Sequence, residues 1–428
     1  MRAAILAGGA GTRIGSLYPD LPKPMIPVLG KPLIQYQVES LTTQGIYDIT
    51  LILGYKTDVI RTHFKNGKTY GARINYIVED EPLGTGGALS MLPRENTLIL
   101  FGDIYCEVDF KRFIDFHKQK HADITLFVHP NSHPHDSDLV VVDADGRVTA
   151  WKSKNDSYRG DLRNLANAGL YVFSGNALPT DEIKKQDLDY DLVMRAIPGG
   201  KVYAYRSTEY VKDMGTPERL QVVEDDVKSG MTSKRNLGAR QKAVFLDRDG
   251  TINELRGLIN LPEQMELIRG VAVAIRMLNK SPYLTLCITN QPVIARGTTT
   301  LDQLEAIHSR LDSLLGDEGA YLDDLLFCPH HPDKGYPEEV PEYKMDCECR
   351  KPKPGMLLTA AERYNIDLSR SYMIGDSTAD IASGNTAGCM TIGIKTGKGL
   401  SDGKYNVSPT MMCECVYDAI RYILREKS

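Results

Sequence analysis

Two stretches of the sequence share one pattern, and together they decide the fold. Residues 3–13 read AAILAGGAGTR, and residues 243–251 read AVFLDRDGT. In each, a short apolar strand leads into a loop rich in Gly, Asp or Thr, and a helical pattern follows. Strands that alternate with helices form parallel sheets, and such sheets bind ligands beyond the carboxyl ends of their strands. Each stretch therefore predicts a ligand site in an α/β domain.

The rest of the chain predicts two α/β domains in succession. Further apolar runs, such as residues 49–53 and 284–289, are separated by stretches of helical length. Residues 228–242, KSGMTSKRNLGARQK, contain almost no large apolar residue, as is typical of exposed linkers. We therefore expect two Rossmann-like three-layer domains with mainly parallel sheets. They would occupy residues 1–227 and 242–428, joined by a linker at 228–241.

Composition excludes several classes of protein. The 428 residues are 42% hydrophobic and 25% charged, which is typical of folded globular chains. A formal charge of −5 provides no general basic surface for nucleic acid or an anionic membrane. No apolar run reaches the roughly 18 residues of a membrane helix, and no signal peptide opens the chain, so we expect a cytoplasmic protein. Eight cysteines are too few for a disulfide scaffold and favour metal binding.

The first half carries an ordered set of phosphate and metal motifs. The glycine-rich loop after residue 7 lets the backbone approach a phosphate closely. Lys23 stands between two prolines, which fix the position of its ammonium group. A second glycine-rich loop follows at residues 83–87. Asp103 ends an apolar strand, and Asp213 supplies another carboxylate far along the chain. Two carboxylates with phosphate oxygens are suitable ligands for nucleotide-bound Mg²⁺.

This set resembles the sugar-1-phosphate nucleotidyltransferases over residues 1–227. Among them, the wording LAGGAGTR with LPKPM is most similar to the D-glycero-α-D-manno-heptose 1-phosphate guanylyltransferases. The resemblance implies that Arg13 and Lys23 act on the reacting phosphates and that Asp103 and Asp213 hold Mg²⁺. It implies sugar-phosphate contacts from Lys154, Asn167 and Gly169. The nucleotide-binding residues that it implies are Leu6, Gly8, Gly9, Gly11, Thr12, Arg13, Lys23, Gly84, Thr85 and Asp103.

The second half places aspartates at the ends of two apolar strands. Asp247 and Asp249 would share one face if the backbone is extended, and like charges this close need a cation. Asp376 follows another strand and supplies a third carboxylate. The strand end at Thr289 and Asn290 and the basic pair Arg350 and Lys351 are suited to binding a phosphate, and these two sets fall between the aspartates.

The ordered set is similar to the haloacid-dehalogenase (HAD) phosphatases. This resemblance implies that Asp247 is the nucleophile and that Asp249 is the general acid and then the general base. It also implies Mg²⁺ on Asp247, Asp249 and Asp376. Thr289, Asn290 and Lys351 would hold the phosphoryl group, with Arg350 beside them. Pro292 and Val293 depart from the usual NQSGIARG wording, so we expect a differently shaped loop there.

Four further residues suggest a structural zinc site. Cys328 and His330 share a face of an extended segment, and Cys347 and Cys349 complete four suitable ligands. The residues between them have too few apolar groups to pack without a metal. This arrangement resembles the heptose 1,7-bisphosphate phosphatases and the related histidinol-phosphate phosphatases. Cys413 and Cys415 have no neighbouring metal ligands in sequence, and we interpret them as structural.

The two halves together predict a bifunctional enzyme of GDP-heptose synthesis. Its second domain would remove the 7-phosphate of heptose 1,7-bisphosphate, and its first would transfer GMP from GTP to heptose 1-phosphate. A separate kinase would supply the bisphosphate. A mannose or glucose 1-phosphate nucleotidyltransferase fused to a histidinol-phosphate-type phosphatase is an alternative, and a nucleotide-sugar sensor without turnover is another. The sequence leaves the sugar, the base and homo-oligomerisation open.

Overall fold

The computed structural model describes residues 1–9, 17–157, 160–180 and 183–425. The chain forms two compact units. The first unit comprises Met1–His129, Val140–Lys152 and Leu165–Asn236, and the second comprises Pro130–Leu139, Ser153–Asn164 and Leu237–Ser428. Within the described ranges, no helix combines the length and the apolar character needed to span a membrane.

The first unit is built around a nine-stranded mixed sheet. Its centre is parallel: β1 lies between β4 and β6, and β5 extends the sheet beyond β4. Strand β11 joins this parallel part to β8 through antiparallel pairing on both of its edges. The described strands up to β13 are β1 Arg2–Ala7, β2 Pro27–Val28, β3 Lys31–Pro32, β4 Asp48–Leu53, β5 Arg73–Val78, β6 Thr97–Phe101, β7 Ile104–Glu107, β8 Ile124–His129, β9 Leu139–Val142, β10 Val148–Lys152, β11 Ala166–Phe173, β12 Val202–Arg206 and β13 Tyr210–Asp213.

Helices cover both faces of this sheet. Along β1, Ala3 and Ile5 pack into the core on one face, and Ala4 packs into the core on the other. The first face is covered by α1, whose Ile34, Val38 and Leu41 are buried at the spacing of one helical face. The α-helices of this part are α1 Leu33–Thr43, α2 Thr57–Phe64, α3 Phe110–Gln119, α4 Met194–Ala196, α5 Pro217–Lys228 and α6 Met231–Lys234.

The second unit is built around a six-stranded parallel sheet. Its order is β16, β15, β14, β17, β18, β19. Apolar residues of β14 alternate between two cores, with Val244 facing α7, α8 and α11 and Phe245 facing α9. The elements are β14 Lys242–Leu246, α7 Val271–Asn279, β15 Tyr283–Asn290, α8 Leu301–Asp317, β16 Asp324–Cys328, α9 Gly355–Tyr364, β17 Tyr372–Gly375, α10 Thr378–Ala387, β18 Met390–Ile394, β19 Met411–Cys413 and α11 Val416–Arg425.

The predicted fold class is confirmed in both units. Each consists of a sheet, mainly parallel, between two layers that bury its apolar side chains. Because all strands of the second sheet run in one direction, the loops that follow β14, β15 and β17 meet at one edge.

Candidate functional site

The first cluster of functional side chains lies at the carboxyl edge of the second sheet. Asp247 follows β14 and Asp376 follows the neighbouring β17. Asp380, in the first turn of α10, joins them, and each of the three offers a carboxylate oxygen within 4.8 Å of the others. All three are buried. Buried like charges at this separation require cations, so the cluster is suited to Mg²⁺.

Lys351 joins two of these carboxylates. Its Nζ lies 2.6 Å from Asp247 Oδ1 and 2.6 Å from Asp380 Oδ1. The lysine is fixed by two further contacts, since Nζ donates to the Ile288 carbonyl at 2.8 Å and the backbone N–H donates to Asn290 Oδ1 at 3.0 Å. The structure therefore brings Asn290 and Lys351 together beside Asp247, as the predicted phosphoryl site requires.

The buried charges shift the acidities of this cluster. Burial, with repulsion from Asp380, raises the pKa of Asp247 to about 7, although Lys351 opposes the shift. Burial likewise raises the pKa of Asp376 to about 6. Gly250 and Gly397 leave room for Asp376, because a Cβ on Gly250 would lie 2.4 Å from its carboxylate oxygen.

Asp249 is held apart from the three-carboxylate cluster. Arg248, which is fully buried, donates to both oxygens of Asp249, and Gln291 Nε2 donates to Oδ2 at 2.9 Å. Burial acts to raise the pKa of Asp249, but the charge and hydrogen bonds of Arg248 outweigh it and the pKa is lowered. Thr289 contacts the same group, since its hydroxyl accepts from Gln291 Nε2 at 2.8 Å.

The four predicted zinc ligands lie together. Sγ of Cys328 is 3.4 Å from that of Cys347 and 3.2 Å from that of Cys349, and His330 Nδ1 is 3.4 Å from Cys349 Sγ. Thiolates bound 2.3 Å from one zinc ion in a tetrahedron lie about 3.8 Å apart, so the sulfur atoms would have to separate by about 0.5 Å to hold zinc. The donor set itself fits this metal. Arg350 Nη1 donates to the His330 carbonyl at 3.0 Å, which links this loop to Lys351.

A second group of predicted residues lies in the first unit, at the end of β1. Gly8 and Gly9 follow the strand, and the Leu6 carbonyl accepts from Gly102 N at 2.9 Å. Glu79, at the end of β5, reaches the same loop: its Oε2 is 3.0 Å from the position of a Cβ on Gly8. Gly11, Thr12 and Arg13 lie outside the described residues.

Both predicted magnesium ligands of the first unit are paired with cations. Lys23 Nζ lies 2.5 Å from Asp103 Oδ2. Asp213 pairs with Ile104 across β13 and β7, which places it beside Asp103, and Arg219 contacts both of its oxygens. Burial acts to raise the pKa of Asp213, but Arg219 outweighs it with a smaller contribution from Lys23. The pKa of Asp213 is therefore lowered. Asp103 and Asp213 therefore lie near each other, and each contacts a cation.

The second glycine-rich loop is fixed by backbone contacts. Gly84 has a φ of +76°, and a Cβ there would lie 2.3 Å from the Gln186 carbonyl oxygen, so only glycine fits. The Thr85 hydroxyl donates to Asp187 at 3.0 Å and accepts from Leu188 N at 2.8 Å. Thr85 therefore anchors this loop to the residues that begin the π-helix at Leu188–Val193.

The predicted sugar residues fall into different surroundings. Asn167 Nδ2 donates to the Tyr171 hydroxyl at 2.6 Å, and that hydroxyl donates to Asp189 at 2.5 Å. Gly169 N donates to Asn167 Oδ1 at 3.4 Å. Lys154 lies in Ser153–Asn164, which belongs to the second unit, and its backbone N–H donates to Asp138.

Comparison with known proteins gives family matches for each half. A nucleotidyl transferase model matches residues 2–229, and a HAD-hydrolase-like model matches residues 348–419. The chain is 43% identical over 167 residues to a D-glycero-beta-D-manno-heptose-1,7-bisphosphate 7-phosphatase of Pasteurella multocida, covering 38% of this chain and 88% of that protein. A protein of the same description from Vibrio cholerae is 37% identical over 186 residues, covering 43% and 97%.

The chain belongs to both families: nucleotidyl transferases and heptose bisphosphate phosphatases. We therefore call the first unit the transferase unit and the second the phosphatase unit. The predicted fusion of these two enzyme types is confirmed, and the chain carries transferase and phosphatase activities.

Two solved structures are similar to parts of the chain. HddC from Yersinia pseudotuberculosis complexed with GMP-PN is 28% identical, covering 53% of this chain and 99% of that one, with a TM-score of 0.45. D,D-heptose 1.7-bisphosphate phosphatase from B. bronchiseptica, complexed with magnesium and phosphate, is 32% identical, covering 44% and 99%, with a TM-score of 0.39.

Several residues of both sites were not predicted from the sequence. In the phosphatase unit these are Asp380 and Arg248. Asp380 carried a detectable signal, because it lies one helical turn after Asp376. In the transferase unit they are Glu79, Asp189 and Arg219. Arg219 also carried a signal, since it stands in the first turn of the helix that follows Asp213. Nothing in the sequence marked Glu79 or Asp189 against other acidic residues.

Proposed function

We propose that the chain makes a GDP-activated heptose in two steps. The phosphatase unit would hydrolyse the 7-phosphate of heptose 1,7-bisphosphate, and the transferase unit would then attach GMP from GTP to the remaining 1-phosphate. The observation that carries the proposal is the buried ion pair of Asp247 with Lys351 in the phosphatase unit. The same chain has an ion pair of Lys23 with Asp103 in the transferase unit. Because GTP is a cytoplasmic metabolite, we place the reaction there, downstream of a separate sugar kinase.

In the phosphatase step, a carboxylate oxygen of Asp247 attacks phosphorus and an aspartyl phosphate forms as the P–O bond to the sugar breaks. Held by Arg248 and Gln291, Asp249 is ionised, so it must leave Arg248 and take up a proton before it can protonate the departing sugar oxygen. It then takes a proton from the water that hydrolyses the aspartyl phosphate. Lys351 neutralises charge on the phosphoryl oxygens.

The metals have separate roles. Asp247, Asp376 and Asp380 would hold Mg²⁺ in the phosphatase unit, and Asp103 and Asp213 would hold it in the transferase unit. Bound there, Mg²⁺ supplies positive charge to phosphate oxygens. Zinc on Cys328, His330, Cys347 and Cys349 would order the loop that carries Arg350 and Lys351.

In the transferase step, an oxygen of the sugar 1-phosphate attacks the α-phosphorus of GTP and pyrophosphate leaves. The attacking group belongs to a substrate, so the chain provides position and charge and no nucleophile. Lys23 would stabilise the charge that develops on the phosphates. The described part of the site also offers Asp189, held by Tyr171, as an acceptor for sugar hydroxyl groups.

Glu79 supports GTP as the nucleotide. Guanine presents two adjacent donors, the ring N1–H and the 2-amino group, and a single carboxylate can accept from both. Glu79 is half-buried at the phosphate loop, and burial raises the pKa of its carboxyl. Among the described residues, no side chain donates a hydrogen bond to this carboxylate. Adenine has an acceptor at N1 and would leave the carboxylate without a donor there.

Phosphorus NMR of the purified chain tests the whole proposal. With heptose 1,7-bisphosphate of each anomer, GTP and Mg²⁺, we expect inorganic phosphate first and then pyrophosphate with GDP-heptose. Parallel samples with mannose 1-phosphate, glucose 1-phosphate, histidinol phosphate, UTP and ATP test the alternatives. Turnover of those compounds with none of the heptose bisphosphate would overturn the proposal.

The nucleotide assignment has its own test. We expect Glu79→Gln to lower kcat/KM for GTP about tenfold or more while changing kcat/KM for ATP much less, because an amide presents one acceptor where the carboxylate presents two. Glu81→Gln, an exposed change in the same segment, is the matched control. Equal losses for both nucleotides would contradict a role in base selection.

A further inference from the structure

His308 is a buried histidine of the phosphatase unit to which the reaction at Asp247 assigns no role. It lies in α8, and its side chain is fully buried. Neither of its ring nitrogens has a hydrogen-bond partner in the part of the chain that the structure describes. A buried polar group without a partner costs free energy, and folded proteins retain few of them.

The ring of His308 lies close to the end of the sheet that carries the reacting groups. Its centroid is 5.4 Å from that of Phe327, a residue of β16. Phe327 pairs with Thr289 of β15, and the Thr289 hydroxyl accepts from Gln291 Nε2 at 2.8 Å. Gln291 Oε1 in turn accepts from Arg248 Nη2 at 3.1 Å. His308 therefore lies next to the residues that surround Arg248.

Two arginines beside the ring keep it neutral. Burial lowers the pKa of His308 well below its usual value, and the charges of Arg248 and Arg163 lower it further. A neutral imidazole has one nitrogen that accepts a hydrogen bond, and each arginine has one buried Nη atom that bonds to no described residue. Arg163 contacts the carboxylates of Asp312 and Glu305, which take no part in the reaction. The charge of Arg163 is therefore balanced at every stage.

Arg248, in contrast, changes partners during the proposed reaction. In the structure its guanidinium donates to both oxygens of Asp249. Asp249 leaves Arg248 before it protonates the departing sugar oxygen, and the buried guanidinium then loses its carboxylate. Gln291 Oε1 remains as one acceptor, and the ring of His308 offers a second one on the side of Nη1.

We propose that His308 is a positioning residue of the phosphatase reaction, whose ring accepts a hydrogen bond from Arg248 as Asp249 leaves. This inference deepens the proposed function and rests on it. The step exchanges hydrogen bonds, and no covalent bond changes. Without His308, Arg248 would hold Asp249 more tightly, because release of the carboxylate would leave the buried cation with Gln291 alone. His308 thereby makes the general acid available to the sugar oxygen.

Two substrates with different leaving groups test this role. A sugar oxygen needs a proton from a general acid in order to leave, whereas p-nitrophenolate is stable enough to leave without one. For His308→Leu, we expect kcat/KM for heptose 1,7-bisphosphate to fall about tenfold to 100-fold, the size of a lost hydrogen bond to a charged group. We expect kcat/KM for p-nitrophenyl phosphate to change less than about twofold. Leu311→Met, a buried change in the same helix, is the matched control.

A double-mutant cycle shows whether His308 acts through Asp249. Asp249→Asn removes the proton donor, so adding His308→Leu to it should lower kcat/KM for the bisphosphate by less than about twofold more. His308→Gln keeps an oxygen acceptor at this position and should remain within about threefold of wild type. Thermal unfolding checks that each variant folds, and His308→Met replaces the leucine variant if that one does not.

Four results would overturn the inference. Equal losses on both substrates would show that His308 only supports the fold. An undiminished loss in the Asp249→Asn background would show that His308 acts on another group, such as Arg163. Unchanged kinetics of His308→Leu, or a glutamine variant as slow as the leucine variant, would show that Arg248 needs no second acceptor.

The wild type separates the inference from the function on which it rests. A wild-type chain that does not hydrolyse heptose 1,7-bisphosphate would refute the proposed function itself. Any of the four results in a chain whose wild type is active on this substrate would refute the role of His308 alone.

Discussion

The two units solve related chemical problems with differently built sites. In the phosphatase unit, the side chains of Lys351, Asp247 and Asp380 are 3%, 11% and 1% exposed. In the transferase unit, the Asp103 and Asp213 side chains are 35% and 41% exposed. The phosphatase site is assembled and buried in the folded chain. The transferase site is open, and its carboxylates form ion pairs with Lys23 and Arg219.

The difference follows from where the nucleophile comes from. Asp247 belongs to the chain, so burial can hold it against its partners before any substrate binds, and excluding water sharpens its electrostatic contacts. In the transferase unit both reacting groups belong to substrates, and the site must remain open to admit a nucleotide and a sugar phosphate. Three predictions test this contrast, from the largest effect to the smallest, and a fourth tests burial in the transferase unit away from its site.

Removing the chain's own nucleophile should abolish one activity and spare the other. We expect Asp247→Asn to lower phosphate release about 10³-fold or more, because an amide cannot form the aspartyl phosphate. Nucleotidyl transfer to a supplied sugar 1-phosphate should remain within about twofold of wild type. Both activities are measured on one preparation, with the exposed Asp302→Asn as control. Loss of both would show that the units depend on each other.

Removing a cation from the open site should have a smaller effect. Lys23→Met should reduce the kcat of nucleotidyl transfer about 10²-fold to 10³-fold, because the phosphates lose one stabilising charge while other groups still position them. Phosphate release should be unchanged. Lys68→Met, an exposed lysine of the same unit, is the control. A change confined to KM would contradict a role in the transition state.

Loss of a ligand from the four-residue Cys/His site should lower phosphatase activity and leave transferase activity unchanged. We expect Cys347→Ser to reduce bound zinc from one ion per chain to below about 0.2 and phosphate release about tenfold to 100-fold, since Arg350 and Lys351 lose their support. Transfer should not change. Metal analysis and both assays are compared with Cys413→Ser, a half-buried cysteine of the second Cys-x-Cys pair. Full zinc content in Cys347→Ser would refute the ligand assignment.

The smallest effect concerns a buried group of the transferase unit that lies away from catalysis. His117 is 2% exposed and contacts the Thr125 hydroxyl at 2.8 Å, and burial lowers its pKa to about 4. In the unfolded chain its pKa is about 6.5, so the unfolded state takes up the proton first as the pH falls. This histidine's contribution to stability is therefore complete above pH 6.5 and is lost between 6.5 and 4.

At pH 5 the loss from His117 amounts to about 2 kcal/mol. Between pH 7.5 and pH 5, the free energy of unfolding of the wild type should fall. We expect that fall to be about 2 kcal/mol smaller in His117→Gln, which lacks the histidine. The free energy of unfolding is measured by urea titration, with transferase activity as the signal of the folded unit. His121→Asn, a change at an exposed histidine, is the control. Parallel curves for wild type and His117→Gln would show that His117 is protonated in the native state.

The strand ends were predictable from the sequence, but the directions of the side chains after them were not. Apolar runs that end in Asp247 and Asp376 place both residues at the same edge of a parallel sheet. The alternation argument for Asp247 and Asp249 assumes extended backbone. The chain instead turns at Gly250, and the N–H groups of Ile252 and Asn253 donate to the Arg248 carbonyl. Asp249 consequently meets Arg248, and Asp380 completes the cluster.

The transferase site shows the same limit more strongly. Motifs predicted Lys23, Asp103 and Asp213, because their neighbouring prolines, glycines and strands give local signals. Glu79 follows β5 and reaches Gly8, which follows β1, because β4 lies between these two strands. Asp189 lies in the π-helix and meets its site through the hydroxyl of Tyr171, a residue of β11. Local pattern carries no information about such pairings, and these acidic residues look like any others on the surface.

The ammonium group of Lys351 also fixes a charge count. Three ionised carboxylates, those of Asp247, Asp376 and Asp380, with this one lysine leave a formal charge of −2 in the cluster. One divalent cation would make the cluster neutral, whereas a monovalent ion would leave it negative and a second divalent ion would overcharge it. When all three carboxylates are ionised, Lys351 thereby brings the cluster to the charge that one divalent cation balances.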